Sequence, residues 1–467
     1  MAERHIVIVG GGFTGTALAI HLARQGEAGL KVTVIEPREQ LGQGVAYGTC
    51  DPAHRLNVPA SRMQLSAAEE GDFERWYRQS QGYKQDPASR WHDGKLYPQR
   101  AQFGAYVAEQ FTQAACLGKV TLTHVRDRAI ALQSGKILTA AGKAFQADEI
   151  VLAISHPPPG LPRLLQPLSE HSGLIANPWR PGALAAVTAE DRVAIIGTGL
   201  TMSDVVASLQ RQGHRGPIVA FSRRGQLPRD NLSGDYVSRE LDYRQPPQTL
   251  RGWLHRVRQE VAQAAREGQP WQLVLDDIRF HGQQIWQRLP LREQQRFLRH
   301  LRPWWDAHRY RIAPQVSQAL KNGQSSGQLK VLAARLSAAH GEDQDIALTL
   351  QSRAGGETAL SVDKLIVTTG PAHDALLASD LLLSQLADEG IIQADPLALG
   401  ILVDAQSRTI NRSGAANSHL HVVGPAARGR FGELMGLPQV AEHAEQLARQ
   451  LLMPDALARR CPVSIFS

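Results

Sequence analysis

Short apolar runs rich in β-branched residues alternate along this chain with amphipathic, helix-period stretches. Ile6-Val-Ile-Val9 is apolar throughout, as a strand buried on both faces of a parallel sheet requires. A helix is predicted over roughly 14–25, then a second strand, Lys31-Val-Thr-Val-Ile-Glu36. A long connection rich in Gly, Ser and polar residues spans 40–100. The next predicted helix, about 101–115, carries the stripe Phe103, Tyr106, Val107, Gln110, Phe111. Strand pairs follow over about 120–153, and the run 151–156 is a buried strand halted by three prolines. The strand–helix–strand pattern then recurs, with Val193–Ile196 and Ile218–Ser222 as its strands. Lys364-Leu-Ile-Val-Thr-Thr-Gly370-Pro371 matches the halted run as a second crossover strand, and His421-Val-Val-Gly424-Pro425 is a late strand. The last helix, 437–452, repeats Val440, Ala444, Leu447, Leu451. Residues 240–325 break the pattern: they are helical and rich in Gln, Arg and Trp. Leu250, Trp253 or Leu254, Val257 and Val261 form one stripe there, and Phe297, Leu298, Leu301 and Trp305 another.

Glycines stand at both strand–helix junctions. In Gly10-Gly-Gly12-Phe13-Thr14-Gly15, Gly10 makes the tight turn, Gly12 admits a pyrophosphate to the backbone, and Gly15 lets the helix pack on its strand. Free N–H groups at the helix start face the phosphates, and Glu36, about 20 residues on, suits ribose hydroxyls. The second junction, Gly197-Thr-Gly199-Leu200-Thr201-Met202, has methionine at the third glycine's place, which implies looser helix–strand packing. There Ser222 aligns with Glu36, and Arg223 and Arg224 follow; serine and arginine accept a 2′-phosphate that an acid repels. The expected fold is therefore α/β, with two Rossmann-like dinucleotide-binding domains, the second inserted in the first and carrying a helical insertion. The predicted divisions are 1–185 and 372–467 for the first domain and 186–371 for the second, with its insertion at about 240–325. FAD in the first and NADPH in the second are the expected cofactors.

Composition narrows the class. Forty-three per cent hydrophobic and 20% charged residues in 467 suit two or three globular domains. No apolar run approaches the ~20 residues of a membrane span, and the N-terminal run is broken by Gly10–Gly12; a cytoplasmic protein is expected. Cys50, Cys116 and Cys461 form no CxxC, which argues against a redox-active pair, a zinc site and a disulfide framework. The net charge of +7 is spread over arginines without aromatic interleaving, so anionic small molecules fit better than nucleic acid.

Several stretches resemble one family as a set: Gly44-Val-Ala-Tyr-Gly48, His54-Arg-Leu-Asn57-Val-Pro59-Ala60, Tyr97-Pro-Gln-Arg100-Ala-Gln-Phe-Gly104-Ala-Tyr106, Gly197 to Met202, Trp304-Trp-Asp306-Ala-His308-Arg309-Tyr-Arg311-Ile-Ala-Pro314, Thr369-Gly-Pro371, and Gly424-Pro425 with Glu433. Together they resemble the FAD/NAD(P)-binding proteins close to bacterial flavin-dependent N-monooxygenases. The resemblance implies FAD in the first site and a reduced nicotinamide in the second, and leaves the reaction open; the leading expectation is an FAD-dependent, NADPH-consuming monooxygenase acting through a C4a-peroxyflavin on a small, amine-like nucleophile, with oxygen as co-substrate. It also leads one to expect a bulky aromatic before Glu433, where Phe431-Gly432 stands. A flavin reductase or dehydrogenase without oxygen insertion, and a nucleotide-binding regulator, are the alternatives; the oligomeric state stays open.

Candidate site residues follow. Asn57 is placed by the resemblance beside the flavin, where an amide donates and accepts without charge; it equally suits a turn before Val58-Pro59. Arg100 stands for a phosphate, a substrate carboxylate or a salt bridge. His308 and Arg309, with Arg311, are candidates for an anionic substrate or the nicotinamide entrance. Gly424 and Pro425 are placed to bring a backbone N–H to the flavin. No metal ligand set is evident.

Overall fold

The computed structural model describes residues 4–154 and 156–453. Ser155, part of the apolar run 151–156 of the sequence, and Cys461 lie outside them.

The first strand–helix–strand unit is β1 (Arg4–Val9), α1 (Phe13–Gln25) and β2 (Leu30–Ile35). The connection to residue 100 is not structureless: Asp72–Gln79 is helical and buries Phe73 and Tyr77. Hydrophobic period is hard to read in two helical turns bearing four charges, which is why composition alone suggests a loop. Next come α2 (Arg100–Cys116), β3 (Thr121–Val125), an antiparallel sheet of β4 (Ala129–Gln133), β5 (Lys136–Thr139) and β6 (Ala144–Gln146), and then β7 (Glu149–Leu152).

A two-residue strand, β8 (Leu174–Ile175), precedes the second unit, β9 (Val193–Ile196), α3 (Leu200–Arg211) and β10 (Ile218–Ser222). The insertion supplies α4 (Leu250–Arg266), α5 (Trp271–Phe280), α6 (Gly282–Arg288), α7 (Leu291–Arg296), α8 (Arg302–Arg309) and α9 (Pro314–Ser325). The chain continues through β11 (Leu329–Gly341), β12 (Ile346–Ser352), β13 (Glu357–Val362), β14 (Lys364–Val367), α10 (Leu381–Asp388), β15 (Arg408–Ile410), β16 (Ala416–Val422) and α11 (Gln439–Leu452).

Two large sheets result. One has the order β15-β16-β7-β1-β2-β3, so residues 408–422 return to the sheet begun at residue 4. The other has the order β13-β12-β11-β10-β9-β14-β8. Because β8 pairs with β14, the second sheet begins by Leu174, earlier than a division at 186 allows; two residues are too few to show a period. The first sheet is covered by α1 and α11 on one face and by Leu382, Leu383 and Leu386 of α10 on the other. Burial on both faces explains the unbroken apolar reading of β1 and β7. The insertion has its own small core of Leu241, Ala264, Val274 and Ile278, with Val257, Val261 and Trp305 packed on it. No helix among the described residues is long and apolar enough to cross a membrane.

Candidate active site

Both glycine loops, the expected phosphate sites, form as the glycine spacing demands. Gly10 and Gly197 adopt φ of 103° and 117°, a region that favours glycine. Each also abuts a crossover strand: a Cβ on Gly10 would meet Ala153 O at 2.4 Å, and one on Gly197 would meet Thr368 O at 2.7 Å. The positions meant to face a pyrophosphate are open. A Cβ on Gly12 would find only Gly44 Cα, at 3.6 Å, and one on Gly199 nothing within 4 Å. This open backbone at two helix N-termini fits a dinucleotide at each loop. Gly15 is closed by contrast, with Gly10 O 2.0 Å from its would-be Cβ. Phe13 points into an aromatic cluster with Phe103 (5.5 Å) and Tyr47 (6.2 Å), so only its backbone faces the loop. Thr14, one residue on, sits against Gly424.

The ends of the second strands differ. Glu36 is buried; its Oε2 accepts the Gly11 N–H at 2.9 Å and its Oε1 accepts from Arg38 N at 3.0 Å and Arg38 Nη1 at 3.1 Å. Ser222 Oγ instead bonds Thr198 Oγ1 at 2.8 Å and accepts the Gly225 N–H at 3.0 Å. Arg223 and Arg224 form no ion pair among the described residues, and both line the central cavity.

That cavity, of about 1490 Å³, is larger than the roughly 300–1,000 Å³ of a single small-ligand pocket. Asn57, Leu200, Thr201 and the crossover residues Thr368–Pro371 line it. So do both predicted stripes of the insertion, which wall the chamber as well as feeding the insertion's own core. Among the described residues the Asn57 side-chain amide has no hydrogen-bond partner, and its backbone carbonyl accepts from Asn231 Nδ2 at 2.8 Å. The two crossover segments touch where Pro159 pairs with Pro371.

Three candidates take other roles. Arg100 is buried and donates from Nη2 to Asp204 Oδ1 (3.0 Å) and from Nε to Arg55 O (2.8 Å), with Nη1 a further 2.9 Å from Asp204 Oδ2. It ties α2 to α3 rather than standing free for a phosphate. Arg309 is likewise no open anchor: its Nε donates to Glu433 Oε2 at 2.6 Å, beside the Trp305 Nε1 bond to Glu433 Oε1 at 2.9 Å. Gly424 directs its N–H to His443 Nδ1 at 3.1 Å, and Pro425 has none, so neither offers a flavin its own N–H. In each case the partner lies 19 to 124 residues away in sequence, beyond any local pattern. His308 lines the cavity, but its Nδ1 bonds back to Trp304 O at 2.7 Å, and Arg311 pairs with Asp276 at 2.8 Å.

Sequence reasoning missed the clasp between the insertion and the returning chain. A side chain on Gly432 would collide with the Trp286 ring, whose Cγ is 2.6 Å from the would-be Cβ, and Trp286 Nε1 donates to Gly429 O at 2.9 Å. Trp286 of α6 thus packs its ring against Gly432, the residue before Glu433. Arg279 adds a bond to Leu437 O at 2.5 Å. The cavity wall is also strongly basic. Its three acids, Asp204, Asp306 and Glu433, are each paired with an arginine, whereas Arg223, Arg224, Arg229, Arg258, Arg279 and Arg428 have no ion-pair partner among the described residues.

Residues 7–157 match the model of a family described as FAD-NAD(P)-binding. No curated protein sequence matches the chain. Among solved structures, the fold is similar to ornithine hydroxylase of Pseudomonas aeruginosa in its reduced form: 15% identity, 97% of this chain and 99% of that one, TM-score 0.60. It is similar to L-lysine 6-monooxygenase of Pseudomonas syringae, with 16% identity, 98% and 99% coverage and a TM-score of 0.60. It is also similar to the FAD-bound cadaverine monooxygenase of desferrioxamine biosynthesis from Erwinia amylovora, with 13% identity, 95% and 93% coverage and a TM-score of 0.62. The chain therefore has the fold of these hydroxylase and monooxygenase structures, and residues 7–157 carry the FAD-NAD(P)-binding match.

Proposed function

We propose that the protein is a cytoplasmic, FAD-dependent and NADPH-consuming monooxygenase that acts on a small, amine-like nucleophile. The observation that carries this reading is one basic, tryptophan-walled chamber shared by the second phosphate loop, Asn57 and the insertion. Gly10, Gly12, Gly15 and the α1 N-terminus would hold the FAD phosphates and Glu36 its ribose; Gly197, Gly199, Ser222, Arg223 and Arg224 would hold NADPH. When bound, FAD supplies electron transfer and oxygen activation, and NADPH the reducing equivalents.

The chain's own residues do the rest. Leu250, Leu254, Leu298 and Leu301 exclude water from the chamber. The Asn57 amide orients a polar group in it without adding charge. The unpaired arginines repel an ammonium and favour the free amine, whose lone pair is the nucleophile. The Trp286, Arg279 and Glu433 clasps hold the roof in place.

The test is anaerobic reduction by NADPH, then turnover in ¹⁸O₂ with a panel of primary amines. Bleaching of the flavin and one labelled oxygen in a product support the reading. Bleaching followed by hydrogen peroxide alone, with every amine unchanged, would leave the flavin reductase or dehydrogenase reading instead.

A further inference from the structure

Arg428 is a cation that neither dinucleotide loop explains. It lies in the helical turn Arg428–Phe431, just past Gly424-Pro425, is 4% exposed, and lines the cavity. Its Nη1 donates to Met435 Sδ at 2.8 Å, a weak acceptor, and among the described residues its Nε and Nη2 have no hydrogen-bond partner. The carboxylates whose charge reaches it are otherwise engaged. Asp395 accepts the N–H groups of Leu397 (2.9 Å), Leu399 (2.7 Å) and Gly400 (2.5 Å), and Asp306 pairs with Arg302 at 3.3 Å. Tyr310 stays protonated, pushed up to about 12 chiefly by burial. On the crossover segments, the rings of His156 and His373 lie 5.2 Å apart. Burial, with Arg428 adding to it, holds both neutral, at about 4 and about 3. Burial and then Arg302 bring the Arg428 guanidinium itself down to about 10.

A buried charge without a counter-ion is costly, and a guanidinium fork matches the two oxygens of a carboxylate. The anions already assigned belong at Gly12, in the first loop, and at Gly199, Arg223 and Arg224 in the chamber wall. We propose that Arg428 anchors a third anion subsite, which takes a carboxylate-sized oxyanion carried by the substrate. Held there by one end, the substrate leaves its other end free in the chamber. This inference rests on reading the cavity as a substrate chamber, not on oxygen insertion.

The test is a binding measurement on FAD-loaded protein saturated with NADP⁺, so that Arg223 and Arg224 are occupied. Acetate, 5-aminopentanoate and pentylamine are titrated against tryptophan emission, since Trp286 and Trp305 line the wall. The wild type should saturate with both acids and prefer 5-aminopentanoate to pentylamine at least tenfold. Arg428→Gln should lose that preference and weaken acetate at least tenfold, with FAD content and NADP⁺ affinity unchanged. Should Arg428→Gln fail to fold, Arg428→Lys decides: it keeps the charge but lacks the fork, so a several-fold loss of acid binding supports the site, and no loss overturns it. Wild type that binds neither acid, or Arg428→Gln that binds both as well as wild type, also overturns it. Binding is read without turnover, so amines that take no oxygen would sink the monooxygenase reading and leave this one standing.

Discussion

The two phosphate loops invite comparison position by position. Both first glycines turn with positive φ against a crossover carbonyl, and both second glycines face open space. They part at the third position and at the strand end. Gly15 is wedged against Gly10 O, whereas Met202 is wholly buried among Val193, Ile195, Val205 and Leu209. Glu36 reaches back to Gly11, and the matching pair in the second loop is Ser222 with Thr198. One loop has a carboxylate that neutralises Arg38; the other leaves Arg223 and Arg224 without an ion-pair partner among the described residues. The two turns share their backbone geometry and differ in the side chains around it.

The largest predicted effect comes from cutting the tie between the two units. Asp204→Asn leaves Arg100 buried without its partner and should cost about 3–5 kcal/mol, read as a lowered urea midpoint. An unchanged midpoint would mean that the loops are stabilised independently.

Acid should separate the loops next. His443 is buried, and desolvation holds it at about 4, while its Nδ1 accepts the Gly424 N–H beside Thr14 of the first loop. Between about 6.5 and about 4 the unfolded chain takes up a proton that the folded chain refuses. This contribution to stability is therefore whole above the unfolded value and declines as pH falls through that window, by on the order of 3 kcal/mol in total. FAD release on acidification should steepen in the same window, and His443→Gln should flatten it.

At the third glycine, Gly15→Ala should cost roughly 2–3 kcal/mol and lower FAD content, whereas Met202→Leu, which preserves volume, should cost under about 1.5 kcal/mol. Equal costs would show that the two helices pack alike after all. The smallest effect is one of selectivity: Arg223→Ala should weaken NADPH about tenfold relative to NADH. Unchanged preference in steady-state kinetics would remove the 2′-phosphate role.

Much of the fold is legible because its signals are local. The apolar runs of β1, β7, β9 and β14 and the glycines at 10, 12, 197 and 199 report backbone requirements that hold within a few residues. The helix at 72–79 and the strand at 174–175 are too short to carry a period. The site is less legible. Asn57, Leu200, Thr201, Arg223 and Arg224 do line the chamber. Arg100, Arg309 and Gly424 look available as letters and are engaged in space, by Asp204, Glu433 and His443.

By itself, then, the sequence determined two glycine turns at strand–helix junctions, their order, and the resemblance to two-dinucleotide flavoproteins, because a tight turn with positive φ tolerates few residues at fixed spacing. Tertiary structure alone decided which arginines are paired with a carboxylate of the chain itself. Arg309 and Arg428 are both buried arginines on the same cavity wall, yet one meets a carboxylate brought by the returning chain and the other does not. Charge neutralisation acts across a few ångströms of space, and one-dimensional spacing does not encode that distance.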